Sequence, residues 1–339
     1  MQTNSYIKHL NYILPSKKVS NDDLQKAFKN EIAPGDFEKL GIKNRFVIDG
    51  NVKASDLAFD AAIKLISENK IDKSEIDALI YCSAHHDYIT PQTSCVLHGR
   101  LGLEENVATF DLTHGCSGYV YGLFLAKSLI ESSGMKNILF LTGSTLSQYL
   151  HPKDKASLMV FGDGASATLI CADEKTNSSI GNFVMRTDGK GIEKIIIRDG
   201  GDRNHIGKNS HIEKTDAYGN VYSDATFFMD GISVFLFTLK KVPPLIEDTL
   251  AKNNLTKDNI DLYILHQANI FINEQIRKKL KIAPEKFFHF VENCGNTVHA
   301  TIPIALSEAI KAGKAKKGDK ILLAGFGVGL SWGATVITL

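Results

Sequence analysis

Three blocks of this chain occur twice, in the same order. The stretch NKIDKSEIDALIYCSA from Asn69 is echoed by NNLTKDNIDLYILHQA from Asn253, with Ile76 matching Ile260 at an offset of 184 residues. The stretch SLIESSGMKNILFLTG, ending at Gly143, is echoed by EAIKAGKAKKGDKILLAGFG, where Gly325 matches Gly143 at an offset of 182. GASATLI is echoed by SWGATVI, with Ala167 matching Ala334 at an offset of 167, so the first copy carries 15 additional residues around Ser147–Phe161. Helix, turn and strand recurring together mean one α/β unit used twice and packed about a pseudo-twofold axis. The expected halves are residues 1–175 and 176–339 of the 339-residue chain.

Within each half, short β-rich runs alternate with longer helical patterns. The runs are Ala78–Ser83, Ile138–Thr142, Ala167–Cys171, Tyr263–Leu265, Ile321–Ala324 and Ala334–Thr338; the helical patterns include Ser55–Asn69, Gly118–Ser132, Val234–Asn253 and Ile302–Ala312. This alternation predicts an α/β protein with mainly parallel sheet covered on both faces. The segment from about Thr187 to Asp230 is polar and glycine-rich, an irregular stretch of the kind that commonly serves function or an interface.

Thirty-nine basic against 38 acidic residues leave a formal charge of +1, so no global field draws the chain to nucleic acid or to a membrane surface. MQTNSYIKHLNYILP has no basic segment followed by an apolar run, and no apolar stretch approaches spanning length, so a cytoplasmic protein is expected. Five cysteines, at 82, 95, 116, 171 and 294, form no CxxC pair and should be free thiols, not disulfides or zinc ligands. His85-His86-Asp87 makes a poor tetrahedral set, being adjacent on one loop, and no metal is expected.

The residues that could carry chemistry are few. In DLTHGCSGYVYGLFLAKSL, Cys116 sits at a strand-to-helix turn, where the helix end favours thiolate over thiol and Gly115 and Gly118 permit close backbone approach. The competing reading is a small buried hydrophobe. His266 in YILHQANIFI stands directly after a strand, where α/β proteins place ligands, although a lone histidine there is often structural. Asn296 in ENCGNTVHATIPIAL could equally be a turn cap. The duplication superposes the strand carrying His266 on Ala78–Cys82 and the turn of Asn296 roughly on that of Cys116, so all three should point into one crevice. Cys, His and Asn converging there suits thioester chemistry without metal or cofactor. In LLAGFGVGLSWGA, glycines 325, 327 and 329 allow a backbone N–H to be aimed at a developing oxyanion. That loop lacks the Lys-Ser/Thr of a phosphate loop, and FGDGASATLI leads into a strand, unlike a dinucleotide loop.

With Cys116, HQAN, GNT and GFGVGLSWG in this order, the chain resembles the β-ketoacyl-acyl-carrier-protein synthase III family, from LPSKKVSNDDL through GIKNR and FGDGA to WGATVITL. The resemblance implies a duplicated thiolase-like fold of five α-β-α-β-α layers, a homodimer, an acyl carrier protein partner, and decarboxylative Claisen condensation on a Cys-His-Asn triad. Acyl-CoA or acyl carrier protein would be substrate, with no resident cofactor. Carried over, Cys116 is acylated, with the oxyanion held by its own N–H and that of Val328. His266 Nε2 and the Asn296 amide then stabilise the malonyl-derived enolate. Phe326 matches the gating aromatic, Asn269 the pantetheine contact, and Lys278 and Lys279 a carrier-docking patch.

Several positions depart from that pattern. The adenine-stacking tryptophan is missing near Gly35–Phe37, its arginine partner is Lys155, and the arginine after HQANI is Phe271. Thr90 stands where a partner aromatic can cap the acyl pocket, leaving room for a longer or branched group in a specialised pathway. His114 and His299 are also atypical: both are polar side chains bonded to local backbone, or one of them shapes a polar substrate pocket or assists a different acyl acceptor. The alternatives are an acyltransferase of the same fold that does not elongate, passing the acyl group to an amine or hydroxyl, and a silent subunit of a heterodimer. The complete triad argues against the silent subunit.

Overall fold

The computed structural model describes residues 4–174 and 176–339, so the expected boundary at residue 175 falls outside the described residues. The first half runs β1 (Asn4–Ile13), α1 (Ala54–Asn69), β2 (Ala78–Cys82), α2 (Thr93–Leu101), β3 (Ala108–Leu112), α3 (Gly118–Ser133), β4 (Asn137–Ser144), α4 (Lys155–Val160) and β5 (Gly164–Asp173). The second runs β6 (Ser179–Ile180), β7 (Val184–Thr187), α5 (Gly231–Lys252), β8 (Leu262–Leu265), α6 (Ile270–Leu280), α7 (Thr301–Lys311), β9 (Lys320–Gly327) and β10 (Ser331–Thr338).

Each half builds one sheet, in the orders β1-β5-β4-β2-β3 and β8-β9-β10-β6, with β7 also on β10. The repeated blocks land on equivalent strands: β2 with β8, β4 with β9, β5 with β10. The counterpart of β3 survives as a single bridge between Tyr263 and Phe287. Side-chain alternation sorts the layers. Ala78, Ile80, Ile138, Phe140, Ile264 and Leu323 face a central layer made by α3 and α7. Leu79, Tyr81, Leu139 and Leu141 face α1 and α2, while Tyr263, Leu265 and Leu322 face α5 and α6. The result is the expected five-layer α-β-α-β-α thiolase-like architecture.

The sheets are mixed, which corrects the expectation of mainly parallel strands. The pairs β2–β3, β2–β4 and β8–β9 are parallel, but β1–β5, β4–β5, β9–β10 and both pairings of β10 with β6 and β7 are antiparallel. Between β9 and β10 the reason is the length of the connection. Only Val328–Leu330 join β9 to β10, and a parallel return needs a crossover of about a dozen residues or more. The equivalent link in the first half, 145–163, holds the expected insertion as a 3-10 turn, Leu146–Tyr149, and α4. No helix among the described residues is long and apolar enough to cross a membrane.

Helix α3 lies tightly on its sheet. A Cβ at Gly122 would stand 2.0 Å from Cζ of the fully buried Phe140. Gly122→Ala is therefore expected to destabilise the protein by about 1–3 kcal/mol through overpacking, read as an earlier midpoint in denaturant-induced unfolding. An unchanged midpoint would show that α3 can lift off the sheet at little cost.

Candidate active site

The second half delivers two side chains from consecutive loops. His266 follows β8, its N–H donating to the Ala324 carbonyl at 2.7 Å so that it stays in register with β9. Asn296 is held by its backbone against the first-half insertion: its N–H donates to Val160 O at 2.9 Å and its carbonyl accepts from Gly162 at 3.0 Å. Its side-chain Oδ1 accepts from the Val298 N–H at 2.9 Å, the turn role anticipated for it, and this leaves Nδ2 facing His266 Nε2 at 3.5 Å.

The His266 ring is buried, and its Nδ1 lies 2.7 Å from Thr301 Oγ1, whose hydroxyl donates to Val298 O at 3.0 Å. With Thr301 donating onward, Nδ1 carries the ring proton and Nε2 carries a lone pair. Burial, with the neighbouring His299, pushes the His266 pKa down to about 3, so the imidazole is neutral at physiological pH. The Phe326 ring stands edge-on to it at 5.5 Å.

Cys116 sits just before the Ser117 cap of α3, buried under the β9–β10 hairpin. Gly327, at φ +154°, is where the hairpin meets Cys116: a Cβ there would stand 2.8 Å from its sulfur. Gly325 is equally close to the Ser117 Cα. This approach sets the N–H of Val328, together with that of Cys116 itself, on the sulfur. The expectation that the helix end holds Cys116 as thiolate is corrected here. Burial pushes the thiol up to about 11, and the two N–H groups only partly offset it. Desolvation wins because the site is closed to water on the helix side.

Cys116, His266, Asn296, Phe326, Val328 and Asn269 share one cavity of about 70 Å³. A groove of about 440 Å³ leads from it past Asn269 and Val160 to Lys155 and Lys39. Asn269 caps α6, accepting from the Ile272 N–H at 2.8 Å, and Lys155 pairs with Glu31 at 2.6 Å. Lys278 and Lys279 are exposed on the last turn of α6, at the end opposite Asn269, and do not line the groove. Lys39, missed in the sequence, does line it, and its Nζ lies 5.0 Å from the Phe271 ring. Thr90 is exposed on a loop outside the cavity, with Ile89 fully exposed and Tyr88 60% exposed beside it.

The atypical histidines stand behind the cysteine. His114 stacks on Tyr121 at 4.1 Å, and its Nδ1 reaches Ser117 Oγ at 3.2 Å. That hydroxyl lies 2.7 Å from Ser331 Oγ, which donates to Val328 O at 2.7 Å, so the chain from His114 braces the Val328 loop. His299 is buried with Nε2 2.6 Å from the Gly143 carbonyl. Neither lines the cavity. His85, His86 and Asp87 diverge: the His85 ring stacks on Tyr149, His86 faces Thr113 and Asp111, and Asp87 accepts from Ser55. In FGDGA, the buried Asp163 accepts from the Ser147 and Ile48 N–H groups, a structural role. Thr301 was not anticipated; its only sequence signal is a hydroxyl five residues after Asn296.

Two family models match the chain: 3-oxoacyl-[acyl-carrier-protein (ACP)] synthase III over residues 110–189, and the C-terminal model of the same family over residues 250–339. A Clostridium perfringens protein named beta-ketoacyl-[acyl-carrier-protein] synthase III is 35% identical over 326 residues, covering 96% of each chain. A crystal structure of a 3-oxoacyl-(acyl-carrier-protein) synthase III superposes with TM-score 0.96 at 38% identity, covering 99% of this chain and 100% of that one. The 3-oxoacyl-(acyl-carrier protein) synthase of Burkholderia xenovorans superposes with TM-score 0.90 at 30% identity, covering 99% and 94%.

The thiol value gives a direct test. Iodoacetamide alkylation of Cys116 in the resting protein, separated by peptide mapping from the exposed Cys95, is expected to keep accelerating as pH rises toward about 11. A plateau near the ordinary thiol value of about 8.5 would show that burial does not govern this sulfur.

Proposed function

This chain belongs to the 3-oxoacyl-[acyl-carrier-protein] synthase III family of thiolase-fold condensing enzymes, and we propose that Cys116, His266 and Asn296 carry its reaction. The observation that supports this most is that all three line one cavity, with two backbone N–H groups on the sulfur. Acyl carrier protein is the partner in this reading, and the groove past Asn269 receives the thioester arm. A cytoplasmic homodimer belongs to the same reading, supported by five free cysteines and by the exposed Tyr88 and Ile89 beside Thr90.

Both reacting groups start neutral, which dictates the first step. Nε2 of His266 accepts the Cys116 proton as the sulfur attacks the acyl carbonyl, and the resulting oxyanion meets the N–H groups of Cys116 and Val328. Attack forms the carbon–sulfur bond to Cys116; collapse of the oxyanion re-forms the carbonyl and breaks the bond to the carrier sulfur, whose thiolate leaves with the proton from His266. Malonyl on the carrier then loses carbon dioxide, and the electron pair left behind forms an enolate. Its oxygen requires donors from Asn296 Nδ2 and from Nε2–H of His266. That tautomer is reached once exchange with solvent removes the Nδ1 proton and supplies one to Nε2, after which the Thr301 hydroxyl turns from Val298 O to donate to Nδ1. The enolate carbon attacks the acyl-Cys116 carbonyl, the carbon–sulfur bond breaks, and the departing thiolate takes one proton from solvent.

Intact-mass measurement is expected to show an acyl adduct that Cys116→Ala abolishes; no adduct with any thioester offered would overturn the reading. His266→Ala and Asn296→Ala should lower carbon dioxide release from malonyl-acyl carrier protein by about 10²–10³-fold, the cost of losing an oxyanion donor. Acyl transfer to an amine or hydroxyl without carbon dioxide release would instead identify an acyltransferase that does not elongate.

Thr301 is a positioning residue. Thr301→Val is expected to slow decarboxylation roughly tenfold, the worth of one buried hydrogen bond, while Thr301→Ser restores it. Equal rates in both variants would remove the hydroxyl from the mechanism.

A further inference from the structure

Val298 is the only β-branched residue with a positive φ among the described residues. The other non-glycine residues in that region are lysines and asparagines, all exposed, whereas Val298 is buried. At φ +57° its branched side chain crowds the backbone, which is why such residues rarely enter the left-handed region. The conformation itself has a use. With the chain turned this way the Val298 N–H donates to Asn296 Oδ1 at 2.9 Å and its carbonyl accepts from Thr301 Oγ1 at 3.0 Å, so one residue fixes two of the groups around His266. Glycine would adopt the same turn at no steric cost, so this backbone role gives no reason for a branched side chain.

The reason lies in the two spaces that the side chain borders. On one side is the cavity at Cys116, of about 70 Å³; on the other is a chamber of about 200 Å³ whose wall includes Gly115, the residue before Cys116. Val298, Leu146, Ile195, Phe227 and Val328 line both, and so stand between them. All five are apolar, and no Lys, Arg, Asp or Glu among the described residues lines the chamber, which suits it to the methylenes of an acyl chain. Val298 is a fixed part of this partition. Its backbone is bonded on both sides, and the side chain cannot retreat without pulling on Asn296 and Thr301.

We propose that Val298 sets the length of the acyl group that Cys116 accepts, its side chain closing the way from the cavity into the chamber and confining the enzyme to short chains. This rests on the condensing reading above and names a specificity-determining residue for it. Shortening the side chain at 298 joins the chamber to the cavity, and lengthening it narrows the cavity further.

The test uses the full-length enzyme in single-turnover acylation, with butanoyl and octanoyl thioesters in competition, on coenzyme A and on acyl carrier protein in parallel. Intact mass resolves the two Cys116 adducts, and their ratio is independent of how fast each variant turns over. The wild type should favour butanoyl by about tenfold or more, the worth of excluding even one methylene from an apolar pocket. Val298→Gly and Val298→Ala should each bring the ratio to one or below, and Val298→Leu should raise it. A wild-type ratio at or below one, a ratio unchanged in both Val298→Gly and Val298→Ala, or a fall in Val298→Leu as well, overturns the proposal alone. So does loss of both adducts in the Gly and Ala variants, which would place Val298 in the fold and not in selection. No adduct from either donor on the wild type overturns the condensing reading and this proposal with it.

Discussion

Backbone contact between the two halves at Cys116 is the constraint on which the candidate site depends. The β9–β10 hairpin of the second half presses onto the start of α3 in the first, and side chains at 325 and 327 would prevent it, since each Cβ would come within 2.8 Å of Ser117 or Cys116. That contact brings the Val328 N–H to the sulfur and lets Ser117 and Ser331 bond across the interface at 2.7 Å. His114 completes the brace from behind. The His114 ring, through Ser117 and Ser331, holds the loop that would receive the oxyanion.

The pseudo-twofold fold becomes a one-sided site through what the second half lacks. The insertion between β4 and β5 has no counterpart after β9, and it is this insertion that seats Asn296, through Val160 and Gly162. Arg45, buried in the GIKNR motif, holds the insertion in turn, donating to Met159 O at 2.8 Å. Cys116 thus comes from one half, and the histidine and asparagine from the other, with the asparagine positioned by the first half's extra residues.

The same closure sets the chemistry. Removing water disfavours every charged form, so the thiol rises and the imidazole falls, and the pair rests neutral instead of as an ion pair. Proton movement between them then depends on hydrogen-bond partners that accept either tautomer, and Thr301 is such a partner because a hydroxyl both donates and accepts.

Much of this was legible in the chain. The repeated blocks located β2, β4, β5 and their counterparts to within a few residues, because strand alternation and helix periodicity are local properties. Cys116, His266 and Asn296 could be named because duplication converts sequence offsets into spatial equivalence. Strand direction was not legible: parallel and antiparallel strands buried on both faces have the same apolar composition, and while the three-residue link Val328–Leu330 forces β9 and β10 to be antiparallel, the long link 145–163 allows β4 and β5 either direction. Thr301 carried no pattern of its own, and a hydroxyl becomes informative only when the fold sets it against a histidine ring. The sequence alone therefore determined the repeated unit, its elements and the candidate reactive residues. The tertiary structure decided protonation and bracing, because each depends on desolvation and contact by residues far apart along the chain.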